Sequence, residues 1–154
     1  MTGTRAALAP RRLAEAHRCL NFRLRQASRL LSQHYDAALR STGLRGTQFS
    51  LLVILAGSVE LPISRVAMAM GMERSALARN LRPLERQGLV RIAIGPDRRT
   101  RIASLTESGA RALARALPSW RRAQRRLLAR LSKRKLQDLE GGLRAAIVAV
   151  GSRV

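Results

Sequence analysis

Acidic residues are scarce in this chain. Nine Asp and Glu stand against 30 Lys and Arg, a formal net charge of +21 over 154 residues. A small soluble domain is comfortable at a net charge of roughly 2–8 in magnitude. Beyond that, like charges repel across one compact body and disfavour the folded state. A polyanionic partner offsets the repulsion, and DNA, RNA and an anionic membrane all qualify. Aromatics are scarce too, at 3%. That argues against an RNA reader, which needs stacking surfaces. Cys19 is the single cysteine, so no intramolecular disulfide forms and a reducing compartment is expected. Long apolar runs are missing. The longest stretch without a charge, Gly46 to Val59, falls short of the roughly 20 apolar residues of a spanning helix. The opening MTGTRAALAPRRL has no apolar core of a secretory signal. A cytoplasmic chain with no membrane partner is expected. No Ser-His-Asp set, carboxylate pair, Gly-rich phosphate loop or metal cluster is discernible, so neither an enzyme nor a cofactor is expected.

What is present is enough for one domain with a core: 46% hydrophobic residues, 11 Gly and 5 Pro. The cations are 28 Arg and 2 Lys. Codon bias accounts for that ratio but not for the missing acids. Residues 1–10 read as a mobile tail ending at Pro10. From Leu13 an apolar stripe (Leu13, Ala16, Leu20, Leu24, Ala27, Leu31, Ala38) predicts one long helix, closed by Gly43. Thr47 is expected to cap a short buried helix ending at Gly57, and Ser64 to cap another ending at Gly71. A helix from Glu73 or Arg74 carries Leu77, Leu81 and Leu84 on one face and stops at Gly88. Pro83 inside it predicts a bend. LVRIAI and TRIASL, joined by GPDRR, read as a hairpin with a basic tip. Thr106 caps a helix running through Leu113, Trp120, Leu127 and Leu131, kinked at Pro118, and a final helix carries Leu136 to Val150.

Two short helices joined by a Gly-containing turn and followed by a β-hairpin make a winged helix-turn-helix. Its second helix enters the DNA major groove, and its hairpin tip reaches the neighbouring minor groove, where Arg is favoured. The predicted fold is therefore mainly α with a small β-hairpin wing (α+β), flanked by long N- and C-terminal dimerisation helices. A single domain spans 1–154, with 11–43 and 107–154 as helical frame and 47–106 as the winged lobe. The frame stripes are wider than the lobe can cover, so a second copy is expected to bury them.

The stretches GLRGTQFSLLVILA, LPISRVAMAMGMERSALARNLRPLERQGLV and PDRRTRIASLTESG resemble the MarR family of bacterial transcriptional regulators. The signature pieces are Gly71-Met72, Pro83 to Val90, Asp97-Arg98-Arg99, and Leu105-Thr106 with Gly109. The resemblance implies a homodimeric repressor on a pseudo-palindromic double-stranded operator, released by a small anionic or aromatic effector or by oxidation. It makes the helix from Arg74 the recognition helix, with Arg74, Ser75, Arg79 and Asn80 outward. Arg79 and Asn80 match G and A edges. Thr, common in the family at Ala76 and Ala78, is absent. Ser64, Arg65 and Arg86 are supporting contacts. In the wing, the family pairs Asp97 with Arg99 to aim the guanidinium, while Arg98 and Arg101 add phosphate contacts. The family pocket, between helical frame and lobe, would draw on Phe22, Tyr35, Phe49 and Trp120.

One branch of the family senses hydroperoxides through a cysteine of the first helix, which makes thiol-based sensing by Cys19 the alternative. Anchoring on Ser28-Arg29 puts Asn21 at the sensor position, about 200° around the helix from Cys19. A packed or inert Cys is the simpler reading. His17 and His34 are too few for a metal site. In a different class, the basic amphipathic helix 111–134 suits a membrane-surface or RNA-binding protein, but its apolar face of Leu and Ala fits a helix seam better. The charge is spread unevenly. Residues 1–46 carry +7, the reading head 65–101 +6, and 111–134 carries +9 without one acid. The purpose of that last block is left open by the sequence.

Overall fold

A computed structural model describes residues 19–151. The expected tail, Leu13, Ala16 and His17 lie outside the described residues. Six helices and a small sheet follow in order: α1 Leu20–Leu39, a 3₁₀ turn Arg40–Thr42, α2 Gly46–Ala56, β1 Leu61–Pro62, α3 Ile63–Met70, α4 Arg74–Arg86, β2 Val90–Ile94, β3 Arg101–Leu105, α5 Glu107–Leu128 and α6 Lys133–Gly151. Helices dominate, and the antiparallel sheet has the order β1-β3-β2.

The core sits in the lobe. Helix α2 is apolar nearly all round and buries Phe49, Leu51, Leu52 and Leu55. Around it pack Val66 and Ala67 of α3, Leu77, Leu81 and Leu84 of α4, Val90 and Ala103 of the sheet, and Leu113 and Ala116 of α5. The 77, 81, 84 spacing keeps one face of α4 inward, and all three leucines are fully buried, each contributing about 1.5–3 kcal/mol of transfer free energy. Helix α4 runs unbroken through Pro83, and α5 through Pro118.

Several boundaries differ from expectation. Thr47 is not the cap of α2. The helix begins at Gly46, whose amide donates to Asp36 Oδ1 of α1 (2.6 Å), while the Arg45 amide donates to Gln48 Oε1 (2.9 Å). A carboxylate from another helix thus does the capping. Ser64 is not a cap either. It lies in the first turn of α3, because Leu61 and Pro62 pair with Ala103 and Ile102 as a third strand and the helix starts directly after Pro62. Helix α5 stops at Leu128, so Leu131 lies in the turn before α6, where Ser132 Oγ accepts from the Lys135 amide. Gly43, Gly71 and Thr106 act as predicted. Gly43 is left-handed at φ 77° and donates to the Arg40 carbonyl, and Thr106 Oγ1 accepts from the Gly109 amide (3.0 Å).

Helix α5 packs against both α1 and α2. His34 Nε2 lies 3.1 Å from the Ala123 carbonyl, and the Tyr35 hydroxyl donates to Gln124 Oε1. His34 therefore binds its own α5. Burial pushes the Tyr35 phenol up from its ordinary value. By contrast α6 has no buried residue, and Leu20, Phe22, Leu24, Leu30 and Leu31 of α1 are exposed.

At the start of α5 the approach to the lobe is closest. A Cβ at Gly109 would fall on the Leu89 carbonyl oxygen and stand 2.7 Å from Leu105 Cδ1. Backbone cannot yield as a side chain does. Gly109→Ala is expected to cost at least about 2 kcal/mol, read as a lowered urea midpoint; a midpoint equal to wild type would contradict this close approach.

Candidate nucleic-acid interface

Gly71 makes the turn between α3 and α4. At φ 59° it occupies a region that costs other residues dearly, its amide donates to Met68 O, and the Met72 amide donates to Ala67 O. The chain then turns through Met72 and Glu73 into α4.

At about 100° per residue, the positions opposite the buried leucines of α4 are Ser75, Arg79, Arg82 and Arg86, all exposed. Arg74 is exposed but lies nearer the flank, toward the leucine side. Asn80 is only half-exposed and its Nδ2 donates to the Ala76 carbonyl (2.9 Å), so its amide is tied back along the helix rather than presented outward. Arg82 was absent from the expected contacts. The spacing 75, 79, 82, 86 contains the signal that finds it. Ser64 and Arg65 are exposed on the first turn of α3.

The wing tip is a tight turn. The Gly95 amide donates to Thr100 O (2.8 Å), and the Arg98 amide to Gly95 O (3.0 Å). Arg98 is left-handed at φ 57°, the one non-glycine residue of positive φ among the described residues. That conformation costs an L-residue about 1–2 kcal/mol. The expected Asp97–Arg99 ion pair does not form. Asp97 Oδ1 accepts from the Arg99 and Thr100 amides (3.2 and 2.7 Å), and Oδ2 from the Thr100 hydroxyl (2.5 Å). The nearer backbone donors take the carboxylate, so Asp97 shapes the turn and leaves the Arg98, Arg99 and Arg101 side chains exposed.

The four aromatics expected at the pocket do not gather in one place; only Phe49 and Trp120 meet. Phe49 and Trp120 stack on each other inside the lobe (centroids 5.6 Å apart), Tyr35 binds Gln124, and Phe22 is exposed toward the far end of α1. Local stacking and hydrogen bonding engage three of them. Instead, a polar cleft of about 590 Å³ opens between α4 and the α1–α2 corner, lined by Asp36, Arg45, Thr47, Arg79, Asn80 and Gln87 among others. A second, of about 600 Å³, lies beside it along the end of α1, between Gln33 and Arg45. Cys19 is exposed at the N-terminal end of α1. Tyr35, sixteen residues on, is about 24 Å away along the same helix. Among the described residues no group of three or more His, Cys, Asp or Glu gathers as a metal site, and no helix is long and apolar enough to cross a membrane.

The Thr100 hydroxyl, then its amide, hold the Asp97 carboxyl below its ordinary value. A depressed folded value means that the clamp is intact above the ordinary range near ~3.9 and opens only as pH falls through the lower folded value. The Thr100 amide resonance is expected to titrate below that range; a midpoint at the ordinary value would remove the clamp.

Comparison with known proteins supplies the remaining findings. A family model described as MarR family matches residues 42–100. The chain is similar to the M. tuberculosis transcriptional regulator MosR, solved in complex with DNA: 38% identity, 86% of this chain and 98% of that one, TM-score 0.75. It is also similar to a probable transcriptional regulator from Pseudomonas aeruginosa at 27% identity, over 83% of this chain and 96% of that one, TM-score 0.74. AbsC from Streptomyces coelicolor, a MarR family regulator, shares the fold at 23% identity, over 96% and 99% of the two chains, TM-score 0.77. No curated protein matches by sequence.

Proposed function

The chain belongs to the MarR family of transcriptional regulators, and from that premise we propose that it is a homodimer that binds a pseudo-palindromic double-stranded operator. The observation that carries this is the sorting of α4: Leu77, Leu81 and Leu84 fully buried on one side, Arg79, Arg82 and Arg86 exposed on the other. An Arg fork matches the guanine edge in the major groove and the phosphates beside it. In this reading Arg79 and Ser75 face bases, Arg82, Arg86 and Arg65 face phosphates, and Arg74 and Ser64 flank the contact. Arg98, Arg99 and Arg101, held out by the Asp97 turn, serve the minor groove, where a narrow groove concentrates negative potential. Asn80 contributes to bases only if its bond to Ala76 opens.

Dimerisation rests on the apolar faces that one chain leaves open. Large apolar residues are exposed on α1 (Leu20, Phe22, Leu24, Leu30, Leu31) and on α6 (Leu139, Leu143, Ile147, Val148, Val150), and none on α5. The seam therefore runs through α1 and α6. The regulator acts as a repressor whose effector is small and anionic. The cleft against α4 supports a small anionic effector, since Arg45 and Arg79 line it, no aromatic side chain does, and the Asp36 carboxylate beside them is engaged by the Gly46 amide. An occupant there engages the arginine that reads the operator.

Operator DNA selected from a random pool supplies the test. Arg79→Ala and Arg99→Ala are each expected to weaken operator binding by about 1–3 kcal/mol, or roughly 5- to 150-fold. The footprint is expected to cover two half-sites about 34–36 Å apart. Unchanged affinities, or protection of a single half-site, would defeat the reading. Separately, Leu143→Asp with Ile147→Asp is expected to shift the sedimentation mass from dimer toward monomer, and a dimer that persists would move the seam away from α6.

A further inference from the structure

The most basic element of the chain is not the reading helix. Helix α5 holds six arginines against one acid, Glu107, and the stretch 111–134 that runs on into α6 holds nine cations and no acid. Helix α5 spends its apolar side on the lobe and on α1, burying Ala112, Leu113, Ala116 and Ala123. Arg111, Arg115, Arg122 and Arg126 recur at four, seven and four residues, so they line one stripe of the opposite side. Arg121 and Arg125 form a second stripe beside it. All six are exposed. Arg111 pairs with Glu107, and Arg122 donates to Ser119 Oγ; the side chains of Arg115, Arg121, Arg125 and Arg126 have no hydrogen bond or ion pair among the described residues. From Arg111 to Arg126 the stripe spans about 22 Å, the length of roughly six base pairs.

Between Arg111 and Arg126 the outer face offers only Ala114 and Pro118 besides the arginines. A membrane-surface helix needs a large apolar face to insert, and α5 has none left. A second copy would set one cationic face against another. A polyanion with regularly spaced phosphates matches best, because guanidinium forks bind phosphate bidentately. Helix α5 begins two residues after β3 ends at Leu105, so the stripe starts beside the base of the wing sheet.

We propose that the outer face of α5 is a second, sequence-independent surface for the DNA phosphodiester backbone, outside the operator contact. The proposal rests on the DNA-binding reading above. Its duplex is either DNA flanking the operator or a second molecule.

The full chain is assayed on two duplexes, one no longer than the operator and one long duplex carrying it. Wild type is expected to show a steeper salt dependence on the long duplex. Arg115→Gln/Arg122→Gln/Arg126→Gln should lower that slope by about 2–3, keep short-operator affinity within about twofold, and leave the lysine triple variant near wild type. Arg99→Ala should weaken the short complex and preserve the long-minus-short difference. Bead-bound operator that captures a labelled second duplex through wild type but not through the glutamine variant identifies a second molecule. A preserved long-minus-short difference without capture identifies flanking DNA. A glutamine triple variant equal to wild type on the long duplex overturns the proposal. So does equal loss in the lysine and glutamine variants, which would mean packing rather than charge. Polyglutamate outcompeting DNA on this face at equal charge concentration overturns it too, in favour of an acidic protein. Failure of wild type on the short operator is a different result and strikes the reading head instead.

Discussion

The structure turns on a single peptide group. The Leu89 carbonyl accepts the Thr106 amide (3.1 Å), and the Thr106 hydroxyl donates to Gly88 O (2.6 Å) while accepting from the Gly109 amide. Gly88 and Leu89 close α4, since the Leu89 amide donates back to Leu84 O, and β2 starts at Val90. The end of α4, the base of the wing and the first turn of α5 therefore meet within a few atoms. Glycine at 109 is what permits the contact. A second joint lies at the other side of the lobe, where Asp36 of α1 holds the Gly46 amide of α2. With a polar joint at each side, the lobe cannot swing on the long helices without breaking a hydrogen bond that water would have to replace.

Charge does little to hold this arrangement. The ion pairs among the described residues are Arg91–Glu60, Arg111–Glu107 and Arg134–Asp138, all solvent-exposed, and two of them lie at 3.9 and 4.0 Å. Exposed pairs contribute about 0–1 kcal/mol each. The buried side chains are almost wholly apolar, with Ser119 the buried polar exception. Stability comes from the leucine-rich lobe, and the +21 charge is a cost that the fold leaves uncompensated. Helix α5 carries both halves of that bargain, apolar toward the lobe and cationic toward solvent. A body built this way is more stable against a polyanion than alone.

How much of this was legible in the sequence depended on the distance over which each feature is determined. The 77, 81, 84 spacing, the Gly71 turn, the Thr106 cap and the hairpin are fixed by neighbours within a few residues, and each stands as read. The third strand was not legible. It is two residues long, Pro62 hides it, and its partners lie some forty residues away. The start of α2 failed for the same reason, because its capping carboxylate comes from α1. At the wing the local chemistry was read one bond too far: Asp97 was assigned to a flexible guanidinium when backbone amides two and three residues on were nearer. Arg82 is legible in the spacing alone, three residues after Arg79 and four before Arg86 on the same outward face, although the family pattern does not mark it. The expected aromatics do not gather because Phe49 and Trp120 stack on each other, Tyr35 binds Gln124 and Phe22 lies exposed on α1, which no spacing reveals.

The cleft between Arg45 and Arg79 acquires its meaning from the joints. One wall is α4 and the other is the corner that carries the Asp36–Gly46 bond. Under the proposed function, an anion seated there draws in the guanidinium that otherwise faces DNA, and it does so beside the bond tying lobe to α1. Both effects favour release, yet they are separable in kind. Withdrawal of Arg79 weakens one lobe by one contact. Loosening of the Asp36 joint frees the lobe to rotate, and two half-sites read at a fixed separation tolerate rotation poorly. The first loss is additive between lobes, whereas the second spoils the register of both. Under that proposal, release through the joint is therefore more complete than release through the arginine.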